Sequence, residues 1–187
     1  MAGLVYNFEH PERFVAGTVG QPGSRAFYLQ ARDGGRIVSV LLEKVQVSLL
    51  AERLAELLSQ LRENGAAVPD APNASEIDAA PLDEPLNELF RVGTMSIVWN
   101  GEDETVLVEA RAISEADVEE AEGEAEETPD EENDSDVVRI LLGPRQALAF
   151  AQRALEVVAA GRPPCPFCGQ PLNPEGHICA RRNGFMH

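Results

Sequence analysis

LLEKVQVSLLAERLAE, residues 41–56, and LLGPRQALAFAQRALE, residues 141–156, stand one hundred positions apart and agree at six places. Leu41, Leu42, Gln46, Ala51, Arg53 and Glu56 match Leu141, Leu142, Gln146, Ala151, Arg153 and Glu156. Each stretch reads as the end of a strand followed by an amphipathic helix. In the first, Val47, Leu50, Ala51, Leu54, Leu57, Leu58 and Leu61 fall at spacings of three and four, with Glu52, Arg53, Glu56 and Gln60 on the other side. Asn64 and Gly65 supply its stop. In the second, Pro144 suits a first helical turn, Leu148, Ala151, Leu155 and Val158 are the expected buried stripe, and Gly161, Pro163 and Pro164 end it.

Working outward, two further echoes keep the same order. FVAGT (14–18) lies over FRVGT (90–94), and YLQAR ending at Arg32 lies over LVEAR ending at Arg111. Before the first helix, RFVAGTVG, RAFYLQAR and RIVSVLLE read as three strands. QPGS turns between the first two, and Asp33, Gly34 and Gly35 make a hairpin between the last two. Before the second, LFRVGTMSIVW, TVLVEARAI and VVRILL repeat the pattern, with a turn at NGEDE. The expected fold is α+β: two β-β-β-α units from an internal duplication, sharing a core, plus a small C-terminal zinc-ribbon-like tail. The expected divisions are 1–63 for the first unit, 64–87 for a proline-bearing mobile or extended linker, 88–162 for the second unit, and 163–187 for the tail.

The FxxGT and LL anchors lie 76 and 100 residues apart, so the second unit carries 24 extra residues, and an acidic segment fills the gap. Glu115 to Asp136 hold thirteen of the 32 Asp and Glu and none of the 15 Lys and Arg. The formal net charge of −17 therefore belongs to one segment, since nineteen acids against fifteen bases elsewhere leave only −4. Residues 114–136 are expected to form an acidic disordered loop. Its functional reading is a docking strip for a basic partner, or for Arg153, Arg162, Arg181 and Arg182 of the same chain. The overall charge argues against a nucleic-acid partner. No run of residues approaches the length of a membrane span, and the N-terminus lacks a leader pattern, which reads as a cytoplasmic protein without membrane insertion.

All three cysteines fall in CPFCGQPLNPEGHIC, residues 165–179. A metal site, a redox pair and unliganded thiols are the alternatives. Cys165 and Cys168 have the two-residue gap that lets two thiolates bind one ion from a tight turn, and His177 and Cys179 return after a spacer rich in Pro, Gly and Asn. That spacer has no hydrophobic periodicity to hold it. Structural zinc on Cys165, Cys168, His177 and Cys179 would hold it, leaving no open position for an activated water. A redox motif should open a helix, whereas here a proline-rich loop follows. The single residue between His177 and Cys179 is tight and demands either a bend at Ile178 or a ligand from elsewhere, His187 and His10 being the other histidines. His10 reads as a surface or capping residue.

RPPCPFCGQPLNPEGHICARRNG, the LLGPRQALAFAQRALEVVAAG helix before it, and the opening YNFEHPERFVAGTVGQPGSRAFYLQAR together resemble an uncharacterised actinobacterial family, the domain of unknown function 3090. The resemblance spans essentially the whole chain. It implies company in the genome, beside a phosphatase-like and a kinase-like protein, and hence a partner in phosphoryl chemistry. The terminal GFMH departs from the family's basic ending and weakens a role for His187.

No P-loop, nucleophile elbow or zinc-protease helix appears, and GTVGQPGSR (17–25) reads as a turn between strands. Two functions stand as expectations. One is a non-enzymatic zinc-binding adaptor or regulatory protein acting through protein-protein contacts. The other is an enzyme acting on a phosphorylated small molecule in the cleft between the two units.

Overall fold

A computed structural model describes residues 3–114, 135–161, 163–170, 172 and 179. The chain is α+β. Its strands are β1 (Val5–Phe8), β2 (Arg13–Val19), β3 (Ala26–Asp33), β4 (Arg36–Leu42), β5 (Glu88–Asn100), β6 (Thr105–Ala112) and β7 (Val137–Leu142). The helices are α1 (Lys44–Glu63) and α2 (Pro144–Ala159). All seven strands join one mixed sheet in the order β1-β7-β6-β5-β4-β3-β2. Two antiparallel meanders, β2-β3-β4 and β5-β6-β7, meet where β4 runs parallel to β5, and β1 adds in parallel to β7.

The strands form where apolar and polar residues alternate, because successive side chains point to opposite faces. Phe27, Leu29 and Ala31 of β3 face the core opposite Leu42, Val40 and Val38 of β4. Val106, Val108 and Ala110 of β6 do the same opposite Leu142, Ile140 and Val138 of β7. Register is fixed by tight turns. Gly34 takes φ +58° in the two-residue link between Asp33 and Arg36, a conformation that favours glycine. The QPGS stretch closes the β2–β3 hairpin, Ser24 N–H donating to Gln21 O at 2.9 Å.

The sheet cannot be flat. Its edge strands β1 and β2 are consecutive in sequence, with only residues 9–12 between them. Five peptide steps reach at most ~18 Å, whereas six strand spacings across a flat sheet come to ~29 Å. The sheet therefore curls until its edges approach. Arg36 of β4 reaches across to the β1 edge, stacking over the Phe8 ring at 4.2 Å and donating to the Asn7 carbonyl. The N-terminal strand is not among the elements expected from the sequence; four residues are too few to announce themselves.

Both helices pack together against the inner face. α1 buries Val47, Leu50, Ala51, Leu54 and Leu58, as the spacing predicts. Its start carries a reciprocal capping box, the Glu43 backbone N–H donating to Gln46 Oε1 at 2.8 Å. At its end Gly65, with φ +89°, lets Ala66 N–H reach Leu61 O at 2.9 Å. α2 differs from expectation. Its buried face is Ala147, Phe150, Ala151, Arg153 and Ala154, while Leu155 is 36% exposed and Leu148 and Val158 are only partly covered. Small alanines let the helices approach closely, and Phe150 is drawn inward by Phe14 of β2, the rings stacking at 4.3 Å.

The segment 64–87 is extended but held. Gln30, 1% exposed, receives Asp83 N–H at 2.7 Å and donates to Asp83 O at 3.0 Å, with a second bond to buried Ser39. Leu82 lies on Gly17, close enough that a Cβ there would come within 2.6 Å of it. Of the two expected forms, mobile or extended, the segment has the extended one: it lies along β2, and the backbone groups of Asp78, Ala80, Pro81 and Asp83 have side-chain partners. The stretch expected as an acidic loop lies outside the described residues from 115 to 134. Among the described residues no helix is long and apolar enough to cross a membrane.

Candidate metal centre

After α2 the chain forms a short hairpin. Leu172 N–H donates to Pro163 O at 2.8 Å and Cys165 N–H to Gln170 O at 2.7 Å. The turn closes when Gly169 N–H donates to Cys165 O at 2.8 Å, with Gly169 at φ +73°, so the sequence CPFCG makes a knuckle that holds two sulfurs on one side. Phe167 sits at its tip, 55% exposed.

The knuckle brings its cysteines to the third. The sulfurs of Cys165, Cys168 and Cys179 all lie within 4.8 Å of one another, with Cys165 and Cys179 at 4.0 Å. Cys165 and Cys179 are buried and Cys168 is half-buried. Three cysteines so close could hold a metal ion. Tetrahedral thiolates at ~2.3 Å from one ion sit ~3.8 Å apart, while a disulfide needs its sulfurs at ~2.05 Å. The observed spacing fits the first.

The three thiols influence one another's ionisation. Burial opposes ionisation of Cys165, but the backbone N–H groups of Cys168 and Phe167, with the two neighbouring thiols, outweigh it and hold this thiol below its ordinary value. At Cys168 the Gln170 backbone N–H favours the thiolate. Burial and the sulfurs of Cys179 and Cys165 prevail there and raise it. One thiolate is stabilised and the next is resisted. His177, the expected fourth ligand, lies outside the described residues, as does His187. His10 is exposed, as expected.

A second polar constellation has no counterpart among the sequence expectations. Arg13 of β2 and Arg153 of α2 are each only 7% exposed and converge on Asp78 of the connector. Arg13 Nε donates to Asp78 Oδ2 at 2.5 Å and its Nη2 to Asp78 Oδ1 and to the carbonyls of Ala80 and Pro81. Arg153 donates to Ala16 O at 2.8 Å, to Ala80 O at 2.8 Å, and to both the carbonyl and carboxylate of Asp78. Bonding to Arg13 holds the Asp78 carboxyl below its ordinary range. Arg13 is raised by the same bond, whereas burial lowers Arg153, whose partners are mainly neutral carbonyls. Arg153 is therefore committed inside the fold. The expectation that it docks the acidic segment is corrected. No local pattern marks these residues, because the partners lie 65 and 75 positions apart.

Beside this network a cleft of about 510 Å³ opens between the start of β2, the connector and one face of α2. Glu12 and Arg145 stand on its rim over the stacked pair Phe14 and Phe150.

A family described as a protein of unknown function, DUF3090, matches residues 6–179. The chain belongs to the DUF3090 family. The match begins inside β1 and ends on Cys179, so most of the edge strand and the whole cysteine cluster fall within the DUF3090 domain. Comparison with curated proteins and with solved structures gives no match.

Proposed function

We propose that this DUF3090 protein is a zinc-binding adaptor or regulatory protein without catalytic activity of its own, working in the cytoplasm through protein-protein contacts. The observation that carries the reading is the convergence of three sulfurs at metal-ligand spacing on a knuckle that displays an exposed aromatic residue. With His177 as the fourth ligand, the shell is filled by protein, which makes the ion a structural staple. Zinc suits the donor set of thiolates and one imidazole. A reducing compartment suits three cysteines kept as thiols. Phe167 at the tip is the type of anchor that interfaces use. The acidic segment 114–136 would offer a second contact to a basic partner. By family association, the partner is a phosphatase-like or kinase-like protein; nucleic acid is disfavoured by charge.

The scaffold reads as an internal duplication with divisions at 1–63, 64–87, 88–162 and 163–187. Equivalent residues supply support: Gln46 of α1 donates to Val92 O and Gly93 O at the start of β5, and Gln146 of α2 donates to Pro11 O just before β2. Each helix thus addresses the leading strand of the other half. The cleft beside α2 supports a rival reading, an enzyme acting on a phosphorylated small molecule in the cleft between the two units.

The test is isolation of the full-length protein and its associates from native cells, with metal measured on the same samples. One zinc per chain, lost together with a defined partner in Cys165→Ser and Cys168→Ser, is expected. Zinc loss with an unchanged partner set sinks the docking role. Absence of bound metal in the intact protein sinks the site itself.

A further inference from the structure

We infer that the cleft between β2 and α2 is a binding site for a small zwitterion of the α-amino acid class. The inference is independent of the zinc reading, and it redirects the rival enzymatic one away from phosphorylated ligands. Its basis is a census of which charges in the cleft remain available. Arg13 and Arg153, which form its inner wall, have most of their donors committed to Asp78 and backbone carbonyls, while Arg13 Nη1 makes an ion pair with Asp83 at 3.1 Å without a hydrogen bond. Asp78 lies between them and Asp83 is shared between Arg13 and Arg32, so the charge of the inner wall is largely compensated within the fold.

The charges still available lie on the rim. Arg145 is 65% exposed and touches only one atom of Glu76, through Nη1 at 3.3 Å. Its remaining donors can take a carboxylate in a fork. Glu12, 55% exposed, lies 3.6 Å from Arg32 Nε, too long for a hydrogen bond, and can receive an ammonium. Gln146 spends its amide N–H on Pro11 O at 3.0 Å, which fixes it next to Glu12 with its own carbonyl oxygen left to accept. Between these ends lies the Phe14 and Phe150 stack with Ala149, an apolar floor for a side chain.

Among the described residues lining the cleft, Arg13, Arg145 and Arg153 stand against Glu12, Glu76 and Asp78, a neutral balance that suits a zwitterion better than a phosphate dianion. A purely apolar ligand would strip water from charged groups without replacing it. A molecule with one carboxylate, one ammonium and an apolar side chain meets all three features, and a volume of about 510 Å³ holds it.

The experiment uses full-length protein with each of the twenty L-α-amino acids, and inorganic phosphate as the counter-probe, read by calorimetry and by thermal shift. Saturable binding of at least one amino acid is expected. It should weaken about tenfold or more, worth about 1.4 kcal/mol, in Arg145→Glu and in Glu12→Lys, and recover in part when both changes are combined, since the charges then exchange places. Both side chains are more than half exposed, so the variants should keep the parent's circular dichroism and melting temperature. The inference is overturned if no amino acid binds, if affinity is unchanged in Arg145→Glu, or if phosphate competes for the same residues.

Discussion

Replacing Asp78 by alanine should loosen the connector and reveal how much of the fold depends on one carboxylate. Asp78 accepts from Arg13 Nε at 2.5 Å, Arg13 Nη2 at 3.1 Å, Arg153 Nη1 at 3.3 Å and its own neighbour Ala80 N–H at 2.8 Å. Removing one partner of a buried ion pair costs about 3–5 kcal/mol, because an uncompensated charge is left behind. Two features reduce that figure here. Asp78 is about one-third exposed, so water can enter, and both arginines keep carbonyl partners at Ala16, Ala80 and Pro81. A loss of about 2–3 kcal/mol is expected, about the worth of one well-made charged hydrogen bond. Urea unfolding followed by the fluorescence of Trp99, the sole tryptophan, measures it, because Trp99 packs against the core. Hydrogen exchange of residues 78–83 should accelerate in the same variant. A change below about 0.5 kcal/mol, the usual range for a surface substitution, would refute the claim that this network holds the connector.

Acid should act on the same residues. The folded-state pKa values of Asp78 and Glu109 are depressed, Asp78 chiefly by bonding to Arg13, Glu109 by Arg139 and Arg111 against the opposing effect of burial. Their stabilisation is complete above the ordinary carboxyl value near 4 and is lost as pH falls through the lower folded values. An Asp78→Asn variant should therefore show a shallower loss of stability below about pH 4 than the parent; equal slopes count against it. Gly17→Ala should displace Leu82 from the outer sheet face at a cost of about 1–2 kcal/mol by overpacking, read by urea unfolding, with no loss expected if Leu82 packs elsewhere in solution. Cys168→Ser should abolish stoichiometric metal while leaving the Trp99-monitored unfolding within about 0.5 kcal/mol of the parent, because the three cysteines lie apart from the main hydrophobic cluster. A collapse of global stability would mean that the tail braces the sheet.

The elements readable from sequence are those whose signal is local. The β3–β4 hairpin is legible because Gly34 and Gly35 sit between two alternating runs, and α1 because its leucines recur on one face. The cysteine knuckle is legible because CPFCG fixes two sulfurs and their turn within five residues. The features that escape depend on distant partners. Nothing near Arg153 indicates that it is buried; only Asp78 and the carbonyls of Ala16 and Ala80 make that position tolerable. Likewise the prolines of 64–87 suggest freedom, whereas Gln30 and the two arginines satisfy that segment's backbone. The α2 stripe is misplaced by its leucines because leucine outranks alanine by hydrophobicity, yet alanine is the residue a close helix crossing accepts.

On the duplication reading, Arg53 and Arg153 are the same residue twice, and their different fates locate where the halves diverged. Arg53 is 69% exposed and, among the described residues, pairs with Glu56 three positions on. Arg153 is buried under the connector. The helices present the same residue at the same place, so the difference must come from the chain beyond each helix. After α1 the chain turns back through residues 64–87 and covers the groove between α2 and β2. After α2 it leaves into the cysteine hairpin. Among the described residues the connector covers only the groove between α2 and β2, where the cleft lies, while the cysteine cluster lies beyond the end of α2. On that reading the connector adds only one wall, with Glu76 and Asp78, to a cleft otherwise built by β2 and α2, while the cysteine cluster lies beyond α2, so substitutions at Arg145 and at Cys168 test the two sites separately.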